Sequence, residues 1–128
     1  MVPKKSILIV EDDQNVLSMI VKHLRKAGYN PIQAADGLEA LRKLEEDDFD
    51  LVITDVVIPY ISGVGVVSAF KKKWPHVPVI AITGYGKEPE AAVVEKNADL
   101  VLAKPVKMSR LMSQIAILIG SSHEEDRS

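Results

Sequence analysis

Four short apolar runs, rich in β-branched residues, set the tightest limit on how this chain folds. They cover residues 7–10, 51–53, 77–82 and 100–102. Each run is too short for a helix, and none alternates between apolar and polar residues. Continuous apolar runs of this kind favour strands that are buried on both faces, as in a parallel sheet. A weaker fifth candidate strand covers residues 31–35.

Amphipathic patterns separate these runs. The first follows Asp13 and ends at Gly28, a glycine that we expect to cap the helix, and its apolar stripe consists of Val16, Leu17, Ile20, Val21 and Leu24. Similar patterns predict four more helices, over residues 36–44, 64–74, 89–96 and 108–119. Five alternating βα units imply a parallel sheet with helices on both faces, joined by right-handed crossovers. The predicted fold is therefore α/β, a doubly wound (βα)5 sheet.

The bulk properties fit one domain and exclude several kinds of site. A chain of 128 residues favours a single domain, which we place at residues 5–119, with a polar tail or truncated linker at 120–128. The net charge of −2 does not indicate a nucleic-acid surface. The absence of cysteine removes disulfides, thiolate metal sites and cysteine nucleophiles. No apolar stretch approaches the length of a membrane span, so a cytoplasmic location is the default expectation.

Polar side chains stand directly after four of the predicted strands. In open parallel sheets, ligands bind at the carboxyl ends of the strands. We therefore expect these side chains to meet in one small pocket if their strands are neighbours. The group consists of Glu11, Asp12 and Asp13 after the first strand, Asp55 after the third, Thr83 after the fourth and Lys104 after the fifth.

Such a group is suited to metal-assisted phosphoryl transfer. Clustered carboxylates are costly without a cation, and oxygen ligands alone favour Mg²⁺. One carboxylate can attack phosphorus to form an aspartyl phosphate, and Lys104 and Thr83 can then contact the phosphoryl oxygens. Asp12 or Asp13 has a second interpretation, as the N-cap of the first helix.

Four segments of the chain match a known family. They are ILIVEDD (7–13), DLVITDVVIPYISG (50–63), VIAITGYG (79–86) and ADLVLAKPV (98–106). With these segments the sequence resembles the response-regulator receiver domains of two-component signalling, the CheY-like family. The resemblance implies a flavodoxin-like strand order of 2-1-3-4-5. It also implies a phosphorelay protein that takes a phosphoryl group from a sensor histidine kinase or a histidine phosphotransfer protein and then changes conformation.

The resemblance assigns roles by position. Asp55 is the expected phosphoacceptor, Asp12 a direct Mg²⁺ ligand, and Glu11 an acid that acts mostly through water. The backbone carbonyl of Val57 is expected to complete the metal ligands, and Lys104 to contact the phosphoryl oxygens. Thr83 is the expected switch hydroxyl, and the Lys104–Pro105 peptide bond is expected to be cis. Three positions depart from the family pattern. Val57 is apolar where many relatives carry a polar or longer side chain. Val101 stands where an aromatic ring is usual, and Gly84 leaves space beside the switch hydroxyl.

Partner surfaces are also expected. In the family, the first helix docks the phosphodonor, and Met19 projects from it opposite the apolar stripe. The fifth predicted helix carries more apolar residues than one face can bury, which favours a homodimer or effector contact through the fourth and fifth predicted helices. Two alternative functions remain open from the residues alone. One is a Mg²⁺-dependent aspartyl-phosphate phosphatase or phosphotransferase, and the other is a pseudo-receiver that only binds partners.

Overall fold

The protein forms a five-stranded parallel sheet with helices on both faces. The computed structural model describes residues 4–56, 63–84 and 97–120. In chain order its elements are β1 (Ser6–Val10), α1 (Gln14–Lys26), β2 (Asn30–Ala34), α2 (Gly37–Glu46), β3 (Leu51–Asp55), α3 (Gly63–Lys73), β4 (Val79–Thr83), β5 (Leu100–Ala103) and α4 (Met108–Ile119). The strand order is β2-β1-β3-β4-β5, as predicted. Helix α4 is the fifth predicted helix, because the fourth, at 89–96, lies outside the described residues.

Burial explains why the apolar runs read as strands. All five residues of β3 and of β4 are buried, and so are the last four of β1. Successive side chains of a strand point to opposite faces, so Ile7 packs into the core beneath α1 and α4 while Leu8 packs into the core beneath α2 and α3. β2 is an edge strand with mixed exposure, and Pro31 in it lacks a backbone N–H. This is why its sequence signal was weak.

Local hydrogen bonds define both ends of α1. The Asp13 carboxylate accepts the backbone N–H of Asn15 at 2.9 Å and that of Val16 at 3.3 Å, so Asp13 is the N-cap. The helix ends before Gly28, whose φ of 93° lies in the left-handed region. Tyr29 N–H donates to the Leu24 carbonyl at 3.0 Å, which closes the end of the helix. The assignment of Asp13 as the cap leaves Asp12 available to the neighbouring site.

Two distant side chains hold the C-terminal end of α4. Tyr29 Oη donates to the Gly120 carbonyl at 2.9 Å, and Lys5 Nζ donates to the Ile119 carbonyl. These bonds satisfy carbonyls that the helix itself leaves without partners. Leu111 of α4 is buried, whereas Ile117 is 73% exposed, so this helix does keep apolar surface outside the core. None of the helices within the described ranges has the length and apolar character needed to cross a membrane.

Candidate functional site

Three carboxylates meet at the carboxyl edge of the sheet. The pairing of β1 with β3 brings the residues that follow Val10 and Thr54 side by side. Carboxylate oxygens of Glu11, Asp12 and Asp55 all lie within 4.8 Å of one another. Glu11 and Asp55 are each only 3% exposed, whereas Asp12 is open to solvent. The structure therefore brings together three acids that lie up to 44 positions apart in the sequence, from Glu11 to Asp55.

Lys104 reaches the same cluster from the end of β5. Its Nζ lies 2.5 Å from Oδ2 of Asp55, a hydrogen-bonded ion pair. The backbone holds Lys104 beside β4, because its N–H donates to the Thr83 carbonyl at 2.8 Å. The peptide bond from Lys104 to Pro105 is cis. The lysine side chain is 44% exposed while Asp55 is buried, so the ammonium closes the solvent side of the pair.

Burial and neighbouring charges both shift pKa values in the cluster. Burial raises the pKa of the Glu11 carboxyl from 4.5 to about 7, with further upward contributions from the charges of Asp55 and Asp12. The N–H of Asp13, which donates to Glu11 Oε2 at 3.1 Å, and the charge of Lys104 oppose this rise in pKa. For Lys104, partial burial lowers the pKa, but the hydrogen bond and charge of Asp55 outweigh it, and the net pKa is raised.

The donor set fits a hard divalent cation. Its oxygen atoms come from three carboxylates, and with all three ionised the single ammonium of Lys104 leaves a net charge of about −2. Mg²⁺ prefers such oxygen ligands and binds through one or two carboxylates while keeping several waters. The described residues thus provide an acidic pocket that can hold this ion. The carbonyl of Val57, predicted as a further ligand, lies outside the described residues.

The remaining predicted site residues lie around this cluster. Thr83 is 2% exposed at the end of β4, one position beyond Ile82, which pairs with Asp55. Gly84 follows it and lines the same cavity as Glu11 and Lys104. Val101 is partly buried and packs against a small apolar cluster of Val56 and Ala81. The valine thus contributes to the support beneath the site, and no aromatic ring stands at this position.

Sequence reasoning missed two features of the site. One is the N–H of Asp13, which donates to Glu11; the spacing of two residues was visible in the sequence, but the bond depends on the turn into α1. The other is Met108, the first residue of α4, which lines the cavity beside Lys104. Its apolar side chain gave no chemical signal in the sequence, since only the path of the chain after Pro105 brings it there.

Known proteins are similar to this chain in both sequence and fold. Residues 7–116 match the family model of the response regulator receiver domain. Over 121 residues the chain is 30% identical to the polar-differentiation response regulator DivK of Brucella abortus, covering 92% of this chain and 98% of DivK. It is 28% identical to the alkaline phosphatase synthesis regulatory protein PhoP of Bacillus subtilis, covering 92% of this chain. That match takes in 50% of PhoP, so the chain spans about half the length of this relative.

Solved structures give the same result. A CheY-like response regulator receiver domain protein from Methanospirillum hungatei superposes with a TM-score of 0.88 at 29% identity, covering 96% of this chain and 99% of that one. The response regulator TrrA from Thermotoga maritima, solved in complex with Mg²⁺ and BeF, superposes with a TM-score of 0.81 at 31% identity, covering 89% and 98%.

Proposed function

Because the chain belongs to the response regulator receiver domains, we propose that it takes a phosphoryl group onto Asp55 from a phosphohistidine. One observation carries this assignment. The Asp55 carboxylate is buried, lies 2.5 Å from Lys104 Nζ and shares a pocket with Glu11 and Asp12. A carboxylate held beside a lysine and further acids is suited to become an aspartyl phosphate.

The proposed step transfers the phosphoryl group directly. An oxygen of Asp55 attacks phosphorus, and an O–P bond forms as the P–N bond of the phosphohistidine breaks. The electron pair of that bond stays on the imidazole nitrogen, which takes a proton from solvent. The Lys104 ammonium, already in contact with Oδ2, then balances the charge of the phosphoryl oxygens. Thr83 is the proposed donor of a hydroxyl hydrogen bond to the same oxygens. The negative charge that the phosphoryl group adds at Asp55 biases a conformational equilibrium.

We propose Mg²⁺ as the cofactor, held by Asp12 and Asp55, with Glu11 acting mostly through water. When bound, the ion neutralises charge on the attacking carboxylate and on the phosphoryl oxygens. The geometry of the three carboxylates and the Mg²⁺–BeF complex of TrrA both support this choice. The backbone carbonyl of Val57 remains a proposed ligand.

The proposal extends to partners and to domain limits. The phosphodonor is a sensor histidine kinase or a histidine phosphotransfer protein, and the location is cytoplasmic. The domain catalyses only its own phosphorylation and dephosphorylation. Residues 5–119 form the receiver unit, with 120–128 as a tail or linker. A dimer or effector contact through α4 and the preceding predicted helix is supported by the exposure of Ile117. The phosphatase and pseudo-receiver alternatives are not favoured by the relatives.

Beryllofluoride binding tests the assignment, because this compound mimics a phosphoryl group on a carboxylate. Fluorine NMR in the presence of Mg²⁺ should give a bound signal for the parent and none for Asp55→Asn. Asp13→Asn is the matched control, since it makes the same carboxylate-to-amide change in a residue whose side chain caps α1. A bound signal that persists in Asp55→Asn would remove Asp55 from the proposed role.

A further inference from the structure

β5, the strand that leads to Lys104, is the least firmly packed support of the site. It stands last in the order β2-β1-β3-β4-β5 and has four residues. Of these four, all of which the structure describes, Leu102 alone is buried, whereas every residue of β3 up to Asp55 is buried. Packing therefore fixes Asp55 more firmly than it fixes Lys104. Because an edge strand is hydrogen-bonded to the sheet along one side, contacts at its two ends matter for its position.

Asp99 anchors the start of β5 to β4. Its backbone N–H donates to the Val79 carbonyl at 2.9 Å, and its Oδ2 accepts the Val79 N–H at 2.7 Å. Val79 is buried, so its N–H would be costly to leave without a partner. At the other end of β5, the Lys104 N–H donates to the Thr83 carbonyl at 2.8 Å. The contacts at the two ends together set how far β5 extends towards the site.

Lys71 holds the Asp99 carboxylate in place. Its Nζ lies 2.9 Å from Asp99 Oδ2 and also donates to the Val77 carbonyl at 3.0 Å. Lys71 belongs to α3, and its neighbour Phe70 is fully buried in the core that this helix shares with the sheet. The Asp99 side chain is 37% exposed, and the ammonium keeps its carboxylate turned towards Val79. Asp99 thus ties α3 to the starts of β4 and β5.

The position of β5 along β4 decides whether Lys104 reaches Asp55. Asp99 precedes Lys104 by five residues, which at about 3.3 Å per residue is roughly 16 Å along the strand. A shift of β5 by one residue would move Lys104 by about 3.3 Å, which is enough to break its contact with Asp55. Smaller errors also matter, since a misplacement of about 1 Å can slow a reaction about a hundred-fold.

We propose that Asp99, held by Lys71, is a positioning residue that fixes β5 so that the Lys104 ammonium meets the Asp55 carboxylate. The proposal rests on the proposed function, in which Lys104 contacts the phosphoryl oxygens, and it adds a determinant of that contact at the opposite edge of the sheet. Both residues act on the phosphoryl group through Lys104. Mg²⁺ binding should not depend on them, because the carboxylates proposed to hold the ion lie at the ends of β1 and β3.

The rate of labelling by phosphoramidate, a small phosphodonor, tests the proposal at saturating Mg²⁺ and at a temperature where circular dichroism shows the proteins folded. Asp99→Ala should slow labelling about ten-fold, because β5 loses its anchor. Asp99→Asn keeps an oxygen for the Val79 N–H but loses the ion pair with Lys71, and it should slow labelling about three-fold. Both variants should bind Mg²⁺ with the affinity of the parent, a result that a general loss of structure would not give.

Lys73→Ala is the matched control. Lys73 lies on the same helix as Lys71 and forms an ion pair of its own, with Nζ 2.9 Å from Glu45 Oε2. This variant should be labelled at the rate of the parent. A parent rate in Asp99→Ala and Asp99→Asn would overturn the proposal, and so would a loss of Mg²⁺ affinity as large as the loss of rate. Failure of phosphoramidate to label the parent would instead contradict the proposed function.

Discussion

Replacing Glu11 with glutamine measures how much the ionisation of this buried carboxyl lowers the unfolding free energy of the metal-free protein. Burial is the main reason that the pKa of the Glu11 carboxyl is raised from 4.5 to about 7. A rise of about 2.5 pKa units corresponds to roughly 3 kcal/mol of unfolding free energy, at about 1.4 kcal/mol per unit. The introduced glutamine side chain keeps the shape of the glutamate and cannot ionise, so the variant should escape this cost.

The direction of the pH dependence follows from proton binding. Below about pH 4.5 the carboxyl carries its proton in both the folded and the unfolded chain, and the stability that it contributes is fully present. As the pH rises towards 7, the unfolded chain releases this proton first, so the unfolding free energy falls. Above about pH 7 both states are ionised and the loss is complete.

Urea unfolding of the metal-free protein gives the magnitude. Between about pH 5 and pH 8, the unfolding free energy of the parent should fall by about 2–3 kcal/mol more than that of Glu11→Gln. Glu46→Gln is the control, because Glu46 is exposed at the end of α2 and its replacement should leave the pH dependence of the parent unchanged. Parallel curves for the parent and Glu11→Gln would refute the reasoning.

Substitutions near the site separate structural from chemical roles. Asp13→Ala should lower the unfolding free energy by about 1 kcal/mol because it removes the cap of α1, whereas Asp12→Ala should leave stability near that of the parent and weaken Mg²⁺ binding. Urea unfolding and Mg²⁺ titration distinguish the two, and equal effects would contradict their assignments. Tyr29→Phe should lower the unfolding free energy by about 1 kcal/mol and speed hydrogen exchange at the end of α4. An unchanged exchange rate would contradict the role given to this hydrogen bond. Mg²⁺ at about a hundred times its Kd should raise the unfolding free energy of the parent by about 2.7 kcal/mol in thermal or urea melts, and much less in Asp55→Asn.

The succession of strands and helices along the chain was predictable because buried segments are apolar in the sequence. β3 and β4 are buried on both faces, so every position in their runs is apolar or lies at the edge where the site forms. β2 was weaker because an edge strand tolerates Asn30 and Pro31. The strand order itself came from the family resemblance, since local patterns do not state which strands are neighbours.

The sequence predicted the residue types of the site but not the pKa values of its side chains. The residue types at four strand ends, together with the strand order that the family resemblance implies, predicted that Asp55 and Lys104 meet, and the structure brings them together. The raised pKa of Glu11 depends on how deeply that side chain is buried, which is a property of packing. Likewise, only the path of the chain distinguishes the capping role of Asp13 from the position of Asp12 in the cluster.

Contacts between distant parts of the chain carried no sequence signal. Tyr29 and Lys5 bind the end of α4 through backbone carbonyls, which every residue possesses. Lys71 and Asp99 form an ion pair between side chains, with Nζ 2.9 Å from Oδ2, and although both residues are charged nothing in the sequence pairs them across 28 positions. Such pairs become recognisable only once the sheet order is known.

Mass spectrometry of the intact protein after treatment with phosphoramidate and Mg²⁺ tests the phosphoacceptor assignment most directly. The parent should gain the mass of one phosphoryl group, and peptide mapping should place it on the aspartate that pairs with Lys104. The gain should vanish in Asp55→Asn and when the metal is chelated. Labelling of Asp55→Asn to the same extent as the parent, or a phosphoryl group mapped to another residue, would contradict the account.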